Sequence, residues 1–366
     1  MTDNGWMAQT LALAVLGEGT ASPNPLVGCV VVKGDAVVGR GFHRGAGEPH
    51  AEALALSEAG ADAAGATLYV NLEPCAHQGR TAPCAEAIVR ARIARVVAAI
   101  SDPNPVVNGR GFLALRNAGI VVTTGVLAAE ARAVNGPFLS THERRRPFVT
   151  LKAAQSLDGR IAASGGSTTW ITGTAARRYA HRLRFRHDAV LAGAGTIRAD
   201  DPLLTVRLSG VTASRLRVVL APTLGVSPLA NVFLRERPDA KRPRVYVASD
   251  CDETEIARFG DAADIIRVAT NTFGLDLPGV LADLVNVGVE SILVEGGGAT
   301  SGAFLCQGLV DEVVLFIAHS LLGANDATPV VALPAAAKPG SGWRVAGATV
   351  VPLGRDLVLV GRPEAV

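Results

Sequence analysis

The amino-acid sequence predicts an α/β protein of two domains. Three observations predict it. Apolar runs of strand length alternate with apolar residues at helical spacing, the pattern of layered α/β folds. The alternation breaks once, around residues 141–147, where an arginine run meets a proline, and then restarts. The chain has 366 residues, 49% of them apolar, enough for two buried cores. Aromatic residues make up only 4%, so those cores must be built from Ala, Val, Leu and Ile.

In the first domain, expected over 1–145, Met7, Leu11, Val15 and Leu16 fall at helical spacing and predict a helix over 6–16. The run Leu26-Val27-Gly28-Cys29-Val30-Val31-Val32 predicts a buried strand, Lys33-Gly34-Asp35 a turn, and 36–42 the hairpin partner. His50 opens a helix reaching about residue 59. A strand follows at 66–71, with Glu73-Pro74-Cys75 where it ends. Cys84 opens a helix over 85–92. A strand at 96–100, a helix at 112–117 and a short strand at 120–122 complete the domain.

The second domain is expected over 146–366. Arg144-Arg145-Arg146 before it reads as a solvated linker. Strands are predicted at 148–153, 188–192, 216–220, 244–248, 291–294, 313–318 and 357–360. Helices are predicted at 174–184, 280–287 and 300–307, and a turn at Asp158-Gly159.

A net charge of +2 gives no support to a nucleic-acid or membrane-surface partner, which needs a concentrated basic face. The five cysteines are odd in number and irregularly spaced, so a disulfide framework is not expected. There is no secretory leader pattern and no apolar run of membrane-spanning length, and a cytoplasmic enzyme is expected.

The chemistry is concentrated in His50-Ala51-Glu52, Pro74-Cys75 and Cys84. His50, Cys75 and Cys84 are three ligands of the softness zinc prefers, and Glu52 is a nearby carboxylate left over. Structural zinc closes with four protein ligands, whereas catalytic zinc keeps one position for water. A fourth ligand from Cys29, His43 or His77 would make the site structural. The catalytic alternative matches zinc deaminases, in which a His/Cys/Cys-bound zinc activates water and a Glu outside the coordination shell moves protons. Zinc lowers the pKa of bound water to about 7. Hydroxide then attacks a ring carbon that carries an exocyclic amine, with Glu52 as proton carrier.

The first domain also carries Asn24-Pro25-Leu26-Val27-Gly28, Gly41-Phe42-His43, an unusually long run between its two cysteines, and Asp102-Pro103-Asn104-Pro105. With these motifs the chain resembles the bifunctional deaminase–reductase family of riboflavin biosynthesis. The resemblance implies a cytidine-deaminase-like three-layer domain. It implies zinc-dependent deamination of a diaminopyrimidinone ribosylamine 5′-phosphate to the corresponding uracil. It further implies Glu52 as catalytic residue and substrate contacts at Asn24, His43, His77 and Arg80. The family usually has Lys where Arg80 stands and Pro where Ala82 stands.

In the second domain, the residues alone point to Val294-Glu295-Gly296-Gly297-Gly298, where a strand runs into three glycines and then a helix. Such a turn suits a phosphate at a helix N-terminus, or is a plain tight turn. Gly193-Ala194-Gly195-Thr196 is a second candidate after a strand. Residues 146–162, Trp170-Ile171-Thr172, His181-Arg182-Leu183-Arg184 and residues 200–207 follow the order of the same family's reductase, which is dihydrofolate-reductase-like. The resemblance implies NADPH contacts at Ala154, Trp170, Thr196, Asp200, Gly296, Gly297 and Gly298. It implies sugar-phosphate contacts at Lys152, Thr168, Arg184, Leu204, Arg207 and Glu295. Thr168 stands where the family often has Ser, and Ala221-Pro222 where it often has Asp-Ser. The expected partners are a small phosphorylated pyrimidine and further copies of the chain in a homo-oligomer. Two rival readings are a deaminase whose reductase domain is inactive or differently specific, and a zinc-stabilised ribonucleotide-binding module. The scarcity of aromatic stacking platforms speaks against the latter.

Overall fold

A strand whose side chains are apolar on both faces needs a helix layer on each side. Both units of this protein solve that problem with the same three-layer plan. The computed structural model describes residues 1–76, 83–105, 107–162, 171–235, 240–323, 327–332 and 342–366. The chain divides into the units Met1–Arg145 and Arg146–Val366.

The first unit holds a five-stranded sheet in the order Ala36–Phe42, Gly28–Lys33, Thr67–Leu72, Arg95–Ile100, Val121–Thr124. The first two pairings are antiparallel and the last two parallel. Alternate side chains face opposite layers. Val31, Leu68, Val70, Val96 and Ala98 pack on one side with Ala55, Ile88 and Leu115 of helices Ala51–Ala59, Cys84–Arg90 and Arg110–Asn117. Val30, Val32, Tyr69, Val97 and Ala99 pack on the other with Met7, Leu11, Ala131 and Phe138 of helices Asp3–Ala14, Ala128–Val134 and Gly136–Leu139.

One close approach places the functional helix. A Cβ on Gly39 or Gly41 would collide with the carbonyl oxygen of Ala55 or Ala51. The two glycines therefore let helix Ala51–Ala59, which starts just after His50, lie directly on strand Ala36–Phe42.

The second unit is built on a nine-stranded sheet. Its order is Asp264–Val268, Arg244–Ala248, Leu216–Leu220, Ala189–Gly193, Ser291–Val294, Phe148–Gln155, Glu312–Ile317, Asp356–Ala365, Trp343–Leu353. The first seven are parallel and the last two form an antiparallel hairpin. Val149, Leu191, Val218 and Ile292 bury against Leu281, Leu284 and Phe304 of helices Leu277–Asn286 and Gly298–Cys306. Val190, Val219 and Val245 bury against Ile197 of helix Ala194–Asp200 and Phe233. Among the described residues no helix is long and apolar enough to cross a membrane.

Several expected boundaries move, each for a local reason. The helix expected at 112–117 starts at Arg110, because Gly109 enters it at φ 83. The helix expected at 6–16 is Asp3–Ala14, with the Thr2 side chain accepting from the Gly5 N–H, followed by a short 3-10 turn. The strand expected at 357–360 is ten residues long, because it pairs with strands on both sides. The linker reading of Arg144–Arg146 fits the exposed Arg144 and Arg145 and needs correction at Arg146. Residues Ser140–Arg144 form a π-helical turn. Arg146 belongs to the second unit, where its guanidinium donates to Asp311 at 2.7 and 2.8 Å. Asp311, 7% exposed, also accepts from the Val149 N–H at 2.9 Å and so pins the start of strand Phe148–Gln155.

Removing one member of such a pair strands the other. Asp311→Ala is expected to cost the second unit about 3 kcal/mol, read from its denaturant midpoint. A loss below about 1 kcal/mol, the level of an exposed ion pair, would contradict this account.

Candidate active sites

In the first unit three elements end at one point. His50 is the N-cap of helix Ala51–Ala59. Cys75 follows strand Thr67–Leu72, and Cys84 is the first residue of helix Cys84–Arg90. The Ala85 N–H donates to the Cys75 carbonyl at 3.0 Å and holds the two cysteines together. His50 Nδ1 lies 3.2 Å from Cys84 Sγ and 3.6 Å from Cys75 Sγ. All three donor atoms fall within 4.8 Å of one another. Two donors on a tetrahedral zinc at ordinary bond lengths stand about 3.5–3.8 Å apart, so this donor set fits that ion. Cys29 and His43 do not join the set. Cys29 is fully buried in the core, and both ring nitrogens of His43 are engaged elsewhere.

The electrostatics suit a metal. The Cys84 thiol hydrogen-bonds Cys75, which holds the Cys75 thiol down to about 4 and pushes Cys84 up. Cys75 Sγ also accepts from the Cys84 N–H at the start of a helix, where negative charge is favoured. The same sulfur raises His50. Glu52 lies outside the donor set and is 4% exposed, and burial raises its carboxyl above the usual range.

A cavity of about 490 Å3 opens over these groups, lined among others by Asn24, His43, His50, Glu52, Cys75 and Asn104. Its volume is that of a small-ligand site. The Pro49 carbonyl, which can only accept, takes a hydrogen bond from His43 Nδ1 at 3.3 Å. Burial lowers His43, so the ring is neutral and Nε2 is an acceptor. Asn24 Nδ2 donates to that atom at 2.9 Å. Asn24 is thereby held in place on the cavity wall.

In the second unit the candidates gather at the carboxyl ends of parallel strands, where ligands of open α/β sheets bind. Strand Ser291–Val294 runs into Glu295-Gly296-Gly297, and helix Gly298–Cys306 follows. Strand Ala189–Gly193 runs into helix Ala194–Asp200. The two turns are joined, because the Gly297 N–H donates to Thr196 Oγ1 at 3.1 Å. A Cβ on Gly296 would meet the Thr300 side chain, so that position must stay bare. Beside the turns Arg184 donates to Glu295 at 2.7 and 3.0 Å and to the Thr205 carbonyl at 2.9 Å, and Lys152 Nζ stands 3.7 Å from Glu295. Burial alone would push the Glu295 carboxyl up, but Arg184 and Lys152 overcome it and hold it down to about 2. Ala154 lies two residues beyond Lys152 on strand Phe148–Gln155.

Comparison with known proteins decides the family. Residues 147–359 match the RibD C-terminal domain, and residues 1–100 the zinc-binding region of cytidine and deoxycytidylate deaminases. The riboflavin biosynthesis protein RibD of Escherichia coli (strain K12) is 40% identical over 341 residues, 91% of this chain and 92% of that protein. The chain belongs to the RibD family. It couples a deaminase domain of cytidine-deaminase-like fold to a reductase domain of dihydrofolate-reductase-like fold, for riboflavin biosynthesis. RibD of Aquifex aeolicus is 42% identical over 323 residues, 88% of each protein. The structure of Acinetobacter baumannii RibD superposes with a TM-score of 0.84 at 38% identity, covering 99% of both chains. A Thermotoga maritima structure is described as a diaminohydroxyphosphoribosylaminopyrimidine deaminase/5-amino-6-(5-phosphoribosylamino)uracil reductase. It gives a TM-score of 0.84 at 32% identity, again over 99% of both chains.

Within this RibD fold the named residues are not all equivalent. His77, Arg80, Thr168 and Trp170 lie outside the described residues. Leu204 is 2% exposed and packs in the core with Val190 and Ile197, at φ 53, so only its backbone is available to a ligand. Asp200 and Arg207 are exposed. Ala221 is buried and its N–H is used by the Tyr246 carbonyl, so the departure at 221–222 leaves no side chain to offer there. Two residues not expected as site residues also contribute, although His181 lies within the His181-Arg182-Leu183-Arg184 motif. Phe138 lines the deaminase cavity from the opposite helix layer, far away in the chain. The His181 ring accepts from the Arg207 N–H at 3.2 Å and so holds the 205–207 segment. Burial, then Arg184 and Arg207, lower His181 to about 4, so it stays neutral between its two cations.

Glu295 gives a pH prediction. Its folded value of about 2 lies below the ordinary 4.5. The stability it contributes is therefore complete above pH 4.5 and is lost as the pH falls from there toward 2. The melting temperature of the reductase domain should fall more steeply over that window in wild type than in Glu295→Gln. Equal slopes would contradict the ion-pair account.

Proposed function

We propose that the first domain deaminates 2,5-diamino-6-ribosylamino-4(3H)-pyrimidinone 5′-phosphate, and that the second reduces the ribosyl group of the product, 5-amino-6-(5-phosphoribosylamino)uracil, to ribityl with NADPH. The observation that carries the reading is the His50–Cys75–Cys84 donor set, two of whose members, His50 and Cys75, line a 490 Å3 cavity together with the buried Glu52. The Thermotoga maritima relative, described by both activities over its whole length, supports the substrates.

His50, Cys75 and Cys84 would hold the zinc. The ion supplies Lewis acidity that lets water lose a proton near neutral pH. Glu52 takes that proton on its carboxylate and returns it to the ring nitrogen and the leaving amine. Its burial keeps competing water away and suits a carboxyl that must both take and give a proton. Asn24, held in place by His43, is a proposed contact to the amino-substituted ring. His77 and Arg80 complete the proposed contacts, with Arg80 as a fork for the phosphate.

In the second domain the joined turns Gly193–Thr196 and Glu295–Gly298 form the proposed NADPH cradle, with Ala154 and Asp200 beside it and Trp170 as a further proposed contact. The reduced nicotinamide supplies the hydride. The chain's own share is positioning. Lys152 and Glu295 stand next to the reacting ribose in this reading. Arg207, aimed through its backbone by His181, meets the phosphate. Arg184 spends most of its fork on Glu295 and Thr205, so its part is to fix that carboxylate beside the substrate. Thr168 and the Leu204 backbone are the remaining proposed contacts.

Two variants test the domains separately. Glu52→Gln should keep zinc and fold while ammonia release falls by about 10²- to 10⁴-fold, with NADPH oxidation on the deaminated intermediate unchanged. Wild-type ammonia release from this variant would remove Glu52 from the reaction. Gly297→Val faces only Thr196 Oγ1 at 3.7 Å and should fold. Its NADPH affinity should drop by about tenfold, roughly 1.4 kcal/mol, while deamination persists. Unchanged cofactor titration would take the glycine turn out of the binding site.

A further inference from the structure

Glu73 stands one residue before the Pro74-Cys75 pair, is 3% exposed, and has had no part in the chemistry so far. Its carboxylate accepts four backbone N–H groups from one distant stretch of chain. Oε2 takes Asp102 at 3.2 Å and Gly109 at 3.0 Å, and Oε1 takes Gly111 at 2.9 Å and Phe112 at 3.3 Å. Gly109 is the N-cap of helix Arg110–Asn117 and has no side chain to cap it. Glu73 therefore does the capping from 36 to 39 residues away, at the helix end that favours negative charge.

The stretch gathered in this way is a cavity wall. Asp102, Asn104 and Val107 all line the deaminase cavity. Asp102 Oδ1 passes the restraint on by accepting from the Asn104 N–H at 2.8 Å. The contact is also close on the other side. A Cβ on Gly111 would collide with the carbonyl oxygen of Pro74, the residue next to Cys75. Backbone of the metal-ligand segment and backbone of the wall thus meet with no side chain between them, and one carboxylate clamps them.

Resting on the deaminase reading above, we propose that Glu73 is a positioning residue of that centre. Its carboxylate sets the distance between the Cys75 segment and the cavity wall at Asp102–Asn104. Two quantities should therefore move together when the clamp is loosened, namely retention of the metal at Cys75 and affinity for the pyrimidine at the wall. Loss of support around a metal ligand typically weakens the site by ten- to a hundredfold.

Glu73→Gln keeps the shape but turns an NH2 toward two of the four donors. In the full chain, zinc release to a chelator should become about tenfold faster, and the deaminase KM should rise by about tenfold. Amide exchange at Gly109, Gly111 and Phe112 should accelerate, while NADPH oxidation by the other domain serves as the control for fold. A purely structural cap would lower the melting temperature and leave zinc release and KM per folded molecule unchanged, which would overturn the proposal. Should Glu73→Gln fail to fold, Gly111→Ala keeps the carboxylate and wedges a methyl group against Pro74. It should raise zinc release and KM in the same direction, and no change in either would again overturn the proposal. Zinc release and amide exchange need no substrate. A wild-type protein that released no ammonia would thus count against the deaminase reading without deciding the role of Glu73.

Discussion

Bringing two sulfurs and an imidazole together at a partly buried site requires that something stabilise negative charge before any cation does. In this protein the backbone supplies that. Cys84 opens a helix, its N–H points at Cys75, and His50 and Glu52 stand at the start of another helix. The sheet provides the third point of arrest, because Cys75 follows the end of a buried strand whose residues admit little movement. Much of the first unit can be understood as support for this convergence. Bare glycines seat one helix on the sheet, and a remote carboxylate ties down the loop opposite.

The second unit uses the same resources for a different purpose. Parallel strands end side by side, and the turns beyond them lead directly into helix starts. Those turns are not independent, since one threonine hydroxyl on the first accepts from a glycine on the second. Charge is handled among neighbouring side chains. Arg184 and Glu295 neutralise each other, Lys152 stands alongside, and a neutral His181 keeps the next basic residue in place. The positions of these side chains are thus set by contacts within the protein itself.

The local pattern carried most of this into the sequence. Strands 216–220, 244–248 and 291–294 are legible to the residue, because buried parallel strands read as short apolar stretches, even where Arg217 interrupts one and Arg244 opens another. The metal donors are legible because their residue types are rare and their spacing has a chemical meaning. What the sequence hides depends on contacts between distant residues. Helices Ala128–Val134 and Gly136–Leu139 are short and have no strong period, so their existence rests on packing against the sheet. Leu204 looks like a pocket residue but is consumed by the core. Arg146 looks like a solvated linker and is in fact half of a buried ion pair. Glu73 is visible as a letter next to a cysteine, but its four partners lie 29 to 39 residues further on.

The bidentate contact between Arg184 and Glu295 also bears on how this part of the domain can change over generations. Exchange of either residue alone leaves an ion in the interior without its counterpart, a loss that most single steps of drift cannot absorb. The two positions are therefore expected to vary in concert or not at all. Changes at this end of the sheet would have to arise around them, through neighbours whose replacement costs less.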